Sequence, residues 1–150
     1  MQAWELEARE SIRDLVARYN ASGDSARFDA MLELFAEDAV LEVPGRRLEG
    51  RAAIRAFFEG VARGEGGRPR ARLLRHFTAT HQIDLVSETE ARGRCYYQVL
   101  TEAGLDHWGR YQDVYRVVEG RWRFAQRSAS VDGAVPGSWA RSGPLGDPVS

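Results

Sequence analysis

The sequence contains no lysine; all 21 basic residues are arginine, set against 22 acidic ones. Without lysine no Schiff base can form on the chain and no P-loop can be built, so both of those reaction classes are excluded. Cysteine is nearly absent as well. Cys95 stands alone, which rules out an intrachain disulfide and points to a reducing, cytoplasmic setting. No apolar run approaches the length needed to cross a bilayer, and the start Met1-Gln2-Ala3-Trp4-Glu5-Leu6-Glu7 has neither the basic nor the apolar part of a secretory signal. A net charge of -1 gives no general reason to bind nucleic acid or an anionic membrane. Glycine-rich nucleotide fingerprints are missing, so no cofactor is expected. No metal site is expected either: Cys95 has no neighbouring ligand, and His76 and His81 are five residues apart on one strand, which sends them to opposite faces.

What is present is enough for one domain. The 150 residues are 43% hydrophobic and 29% charged, a globular balance with room for a core. Trp4, Ala8, Ile12, Leu15, Val16 and Tyr19 recur at steps of three and four and predict an amphipathic helix over 3–21. Gly23 suits its end, and Asp24 or Ser25 suits the cap of a second helix over 26–36, with Phe28, Met31, Leu32 and Phe35 on one face. The period then changes. Residues 39–43 read as a strand, Pro44-Gly45 as a turn and Leu48-Glu49-Gly50 as a short return, before a third helix carrying Ile54, Phe57, Phe58 and Val61. After the loop at 64–69, long strands are expected near 71–86, 89–102, 106–118 and 121–131, with Glu119-Gly120 as a hairpin turn. Helices grouped before an antiparallel run predict an α+β fold, three helices closing over a curved sheet to make a pocket. Residues 133–150 are rich in Gly and Pro and form a separate tail, read as frayed or as a lid with Trp139 or Val135 over the pocket mouth.

Several of these stretches carry a family resemblance. Residues 12–19 with Asp24, the run from Phe28 to Val40, Arg75-His76-Phe77, residues 109–117 and Gly120-Arg121-Trp122-Arg123-Phe124 occur in the order found in SnoaL-like proteins. The chain resembles that family over about 5–132, within the nuclear-transport-factor-2-like superfamily that includes scytalone dehydratase. The resemblance implies a cone-shaped α+β roll around a deep pocket, a dimer formed through the sheet, and a cofactor-independent lyase or isomerase. It also implies that an Asp after the first helix pairs with a His on the first long strand, which places Asp24 and His76 in those roles. The strand departs from the family's His-x-x-x-Asn pattern, having Thr80 at the fourth position, and His107 fits the place of a second histidine only loosely.

The chemistry of such a pair is clear. Histidine supplies a base near working pH, and a carboxylate on one ring N–H fixes its tautomer and stabilises the imidazolium. Dehydration, double-bond isomerisation and cyclisation of a small hydrophobic, carbonyl-bearing or polyketide-like substrate all fit. Asp24 could equally be a plain helix cap, and His76 a polar residue in the sheet. Tyr19, Tyr111, His107 and Phe57 are the candidate substrate-binding residues; Tyr111 could equally be a packed sheet aromatic. Strict alternation places His107, Tyr111 and Tyr115 on one face of their strand, opposite Trp108, and sends His81 to the face opposite His76 unless a bulge intervenes. Trp108 and Trp122 are expected on the outer face, at a homodimer contact. Two other readings stand beside the enzyme: a small-molecule binding module, and a partner resembling the β subunit of ring-hydroxylating dioxygenases.

Overall fold

The computed structural model describes residues 1–65 and 71–140. Helix α1 (Ala3–Asp24) begins where the Glu5 carboxylate accepts the Gln2 backbone N–H at 2.6 Å. It buries Ala8, Ile12, Leu15, Val16 and Tyr19, the stripe that the spacing predicts. It also runs one turn further than expected. Gly23 and Asp24 lie inside the helix, so Asp24 is not a cap of the next one. That next helix, α2, is a single short piece (Phe28–Leu32) entered through Arg27 without a side-chain cap. Phe35, expected on its apolar face, instead opens strand β1 (Phe35–Val43) and is fully buried against Phe124.

Strand β2 (Arg46–Glu49) returns along β1, and α3 (Gly50–Ala62) places Ile54, Phe57 and Gly60 inward. The long strands follow: β3 (Leu74–Leu85), β4 (Glu90–Thr101), β5 (Gly104–Val118) and β6 (Arg121–Ala134). Glu119 and Gly120 both take positive φ, the geometry of a two-residue hairpin turn. The sheet order is β2-β1-β6-β5-β4-β3. It is mixed and open rather than purely antiparallel, because β1 pairs parallel to β6. The chain leaves β1 early, builds the rest of the sheet and returns beside it, and a return in that direction is parallel.

Of the five register shifts among the described residues of the sheet, three set which polar side chains face inward. In β3 the pairing slips between Ala79 and Gln82, where Thr80 takes a φ of 54°. Such a φ is unusual for a β-branched residue. The slip turns His81 to the same side as His76, so His81 does not face outward as strict alternation expects. In β5 the extra residue is Asp106, so Asp106 and His107 are both buried although they are neighbours. β6 has two extra residues against β5, Asp132 and Ala125, and the second brings Arg127 opposite Asp113. On the outer face Phe77, Tyr96 and Trp108 are exposed. Trp122 is not among them: it shares a face with Phe124 and packs against the core.

Candidate functional site

A cavity of about 300 Å³ lies between the helices and the inner face of the sheet. That is the lower end of the size usual for small-molecule sites, about 300–1,000 Å³. Its wall is largely apolar, with Phe57 and Phe58 from α3, Met31 from α2, Leu41 from β1 and Val131 from β6. Into this wall project Tyr19 and Asp24 from α1, His76 from β3, Tyr97 from β4, and His107 and Tyr111 from β5.

Asp24 and His76 are brought together directly. The Asp24 carboxylate accepts the His76 backbone N–H through Oδ2 at 3.0 Å and meets Nδ1 of the ring through Oδ1 at 2.6 Å. With Nδ1 engaged, Nε2 is the ring nitrogen left for chemistry. A helix C-terminus is the unfavourable end for a carboxylate; here both bonds to His76 hold it there. The side chains are 21% exposed for His76 and 9% for Asp24, so the pair is partly dry yet reachable from the cavity.

His107 stands at the same level two strands away. His76 and His107 are both directly opposite Val99, which places their backbones about 10 Å apart. Tyr97 lies between the two rings, 6.3 Å from one and 5.9 Å from the other, and donates its hydroxyl to the Ser130 carbonyl at 3.0 Å. His107 has its own carboxylate, with Nδ1 at 2.8 Å from Oδ2 of Asp106. Asp106 also accepts the Ser138 hydroxyl at 2.7 Å and the Trp139 backbone N–H at 2.8 Å. Burial alone would raise the Asp106 pKa, but the bonds from Ser138, Trp139 and His107 outweigh it and hold the carboxyl below its usual range.

These contacts bear on the tail. Ser138 and Trp139 donate to the Asp106 carboxylate, Trp139 lines the cavity and its ring stacks on His107. Residues 141–150 lie outside the described residues. Asp106→Ala is expected to speed amide hydrogen exchange at residues 138–140 by about 10- to 100-fold, the loss of a charge-assisted bond; exchange measured by mass spectrometry checks this.

Beneath the cavity lies a polar cluster that strand alternation does not reveal. Arg127, fully buried, makes a two-pronged pair with Asp113 at 2.8 and 2.9 Å. Burial works against its charge, but Asp113 outweighs that and keeps the guanidinium protonated. The Tyr19, Tyr111 and Phe124 rings surround it at 4.4, 3.9 and 4.4 Å. Asp113 accepts the Tyr115 hydroxyl at 2.8 Å, and Tyr115 meets Nε2 of His81 at 3.1 Å. His81 therefore belongs to this cluster rather than to an outer surface, and burial lowers its pKa. Burial also raises the pKa of Tyr111, so its phenol stays protonated and able to donate.

The chain's sequence matches the SnoaL-like domain family model over residues 4–128, most of its length. The chain belongs to the SnoaL-like domain family. No curated protein matches it. Among solved structures, this SnoaL-like chain is similar to a Novosphingobium aromaticivorans protein provisionally described as a scytalone dehydratase: 26% identity, 90% of this chain and 91% of the other covered, TM-score 0.78. An NTF2-like protein with a cystatin-like fold from the same organism shares 28% identity over 90% and 88% of the two chains, TM-score 0.73. A third protein of that organism, provisionally described as an aromatic ring hydroxylase, shares 25% identity over 84% and 90%, TM-score 0.69. Among the described residues of the SnoaL-like chain, no three His, Cys, Asp or Glu converge as a metal-binding set, and no helix is long and apolar enough to cross a membrane. Cys95 is buried and its thiol is pushed up to about 11, so it is no nucleophile.

Proposed function

We propose that this protein is a cofactor-independent lyase or isomerase in which His76 moves a proton at a carbon next to a carbonyl. The observation that carries the reading is the 2.6 Å contact between Asp24 and His76 Nδ1 at the wall of an apolar cavity. Asp24 fixes the ring so that Nε2 faces the substrate as a base, and it stabilises the imidazolium that forms. The enolate oxygen needs a donor, and Tyr19 or Tyr111 supplies one from the floor. Loss of a leaving group then gives a dehydratase; return of the proton at another carbon gives an isomerase; attack of the enolate on a second carbonyl gives a cyclase. Phe57 and His107 bind the remainder of a small hydrophobic substrate. The exposed Phe77, Tyr96 and Trp108 suit a homodimer through the outer face of the sheet.

The step common to all three reactions is the test. 1-Indanone, a compact cyclic ketone, is incubated with the protein in deuterated buffer and followed by NMR. Deuterium is expected to enter the carbon beside the carbonyl at least about 100-fold faster with the wild type than with His76→Ala. Equal rates would overturn the reading. A second reading, a non-catalytic partner of a ring-hydroxylating oxygenase, draws support from the likeness to the protein described as an aromatic ring hydroxylase. Co-purification with a larger iron–sulfur subunit would favour it, and a stable lone homodimer would oppose it.

A further inference from the structure

His81 takes no part in the proton transfer, yet the backbone is distorted to hold it inside. The bulge that turns it inward sets Thr80, an exposed β-branched residue, at a φ of 54°. That region is strained for such a side chain, and strain of this kind persists only where the surroundings impose it. What the bulge secures is the contact of His81 Nε2 with the Tyr115 hydroxyl at 3.1 Å. The protons in this contact have only one arrangement. Both oxygens of the Asp113 carboxylate take N–H groups of Arg127. Tyr115 has a single proton and donates it to Asp113 at 2.8 Å. Its oxygen can then only accept, so Nε2 of His81 carries a proton, and the neutral ring needs no other.

A second proton would make the ring a cation with nothing to balance it. Asp113, on β5, is the anion of the cluster, and Arg127, on β6, already matches its charge. From α1, Arg13 faces the ring, and Arg9 donates to the Ile83 carbonyl two residues along the strand. Glu10 of the same helix lies out in solvent beside Arg13. β4 sets Cys95 opposite the bulge, its thiol pushed up to about 11 and therefore uncharged. Burial first, then Arg127 and Arg13, lower the His81 pKa against the pull of Asp113.

Position gives this a consequence. Asp113, Tyr115 and Arg127 are buried, whereas His81 is half-buried at the end of their chain of hydrogen bonds and stands between them and solvent. Arg127 in turn underlies the Tyr19 and Tyr111 rings of the cavity floor. We propose that His81 is a pH-sensitive plug beneath the cavity: neutral, it seals the Asp113–Arg127 cluster, and protonated, its ring turns out into solvent and lets water reach Tyr115 and Asp113. A ring held inside in its neutral form keeps its place above 6.5, the ordinary histidine pKa, and gives way as the pH falls below it. The plug is separate from Asp24 and His76, and it stands whether or not that pair transfers a proton.

NMR of the full chain between about pH 8 and 5, the range in which a histidine titrates, provides the test. At the upper end the His81 and Tyr115 rings, with centroids 6.4 Å apart, are expected to show a nuclear Overhauser contact. The contact should vanish in step with the titration of His81. Over the same range the protection of the Arg127 Nε–H against exchange with water should fall about three- to tenfold, the worth of one neutral hydrogen bond. His81→Gln offers Tyr115 a side-chain N–H but cannot titrate, so its protection should stay level. A ring contact missing at the upper pH, or one that survives full protonation of His81, would overturn the proposal. So would a ring that never titrates before the protein unfolds, or an equal loss of protection in His81→Gln. Should the glutamine variant not fold, the ring contact in the wild type decides alone.

Discussion

Asp24→Asn is expected to slow proton transfer by about 100- to 10,000-fold with little change in the fold. The native carboxylate serves two donors with separate oxygens, the backbone N–H of His76 and ring Nδ1. An amide keeps one acceptor and replaces the other with an NH₂ group. If its oxygen continues to hold the backbone N–H, the NH₂ faces Nδ1, which must then accept. The ring proton moves to Nε2, and the nitrogen facing the cavity becomes a donor rather than a base. The same change also removes the negative charge that stabilises the imidazolium. Deuterium exchange into 1-indanone measures the rate, and thermal melting reports the fold. Wild-type exchange by a well-folded Asp24→Asn protein would remove the carboxylate from the reaction and leave it as an anchor for β3.

The largest effect on stability is expected beneath the cavity. Arg127→Met should cost about 3–5 kcal/mol, because it leaves Asp113 charged, buried and unpaired. Against a total of about 5–15 kcal/mol for a domain of ordinary stability, that brings the chain to the edge of unfolding. Urea denaturation measures it as a lower midpoint. The cost arises from breaking the pair rather than from any great intrinsic worth of the pair. Removing every member together, in Arg127→Met with Asp113→Leu and Tyr115→Phe, is therefore expected to recover most of the loss. Tyr115 must be included because its hydroxyl also donates to Asp113. If the single and triple variants are equally destabilised, packing of the guanidinium among Tyr19, Tyr111 and Phe124 outweighs its charge.

The helices and the meander of strands were legible because long segments repeat their period many times. The apolar stripe of α1, the Glu119-Gly120 turn and the inward row of His107, Tyr111 and Tyr115 stand where the pattern puts them. Short and compensated elements were not. Phe35 fits a helix face as well as a strand start, and only its packing on Phe124 decides between them. The contact of Asp24 with His76 came from resemblance, since a carboxylate just after a helical pattern reads locally as a cap. Most of what was missed traces to the bulges. A period of two flips its phase at every extra residue. Thr80, Asp106 and Ala125 thereby turned His81 inward, gave His107 a carboxylate from its own neighbour, and set Arg127 against Asp113. Asp113 alone carried a signal, an acidic residue on the buried row with Tyr111 and Tyr115. Trp122 was readable too, since it alternates in phase with Phe124.

The parallel pairing of β1 with β6 also governs the order of assembly. Besides the short β2, residues 35–42 find a strand partner only at 124–128, near the end of the described residues. As the polypeptide leaves the ribosome, β3, β4 and β5 can zip together through local turns, but β5 keeps a bare edge and β1 has only the short β2 beside it. Contacts this distant in sequence slow folding, because loop closure comes before the energy that rewards it. The waiting edge is also a template for intermolecular strand pairing. A chain cut before residue 124 would lose far more than one strand, since the two halves of the sheet would never meet. β6 is thus the strand that joins the two halves of the sheet, and it comes last of the six described strands in the chain.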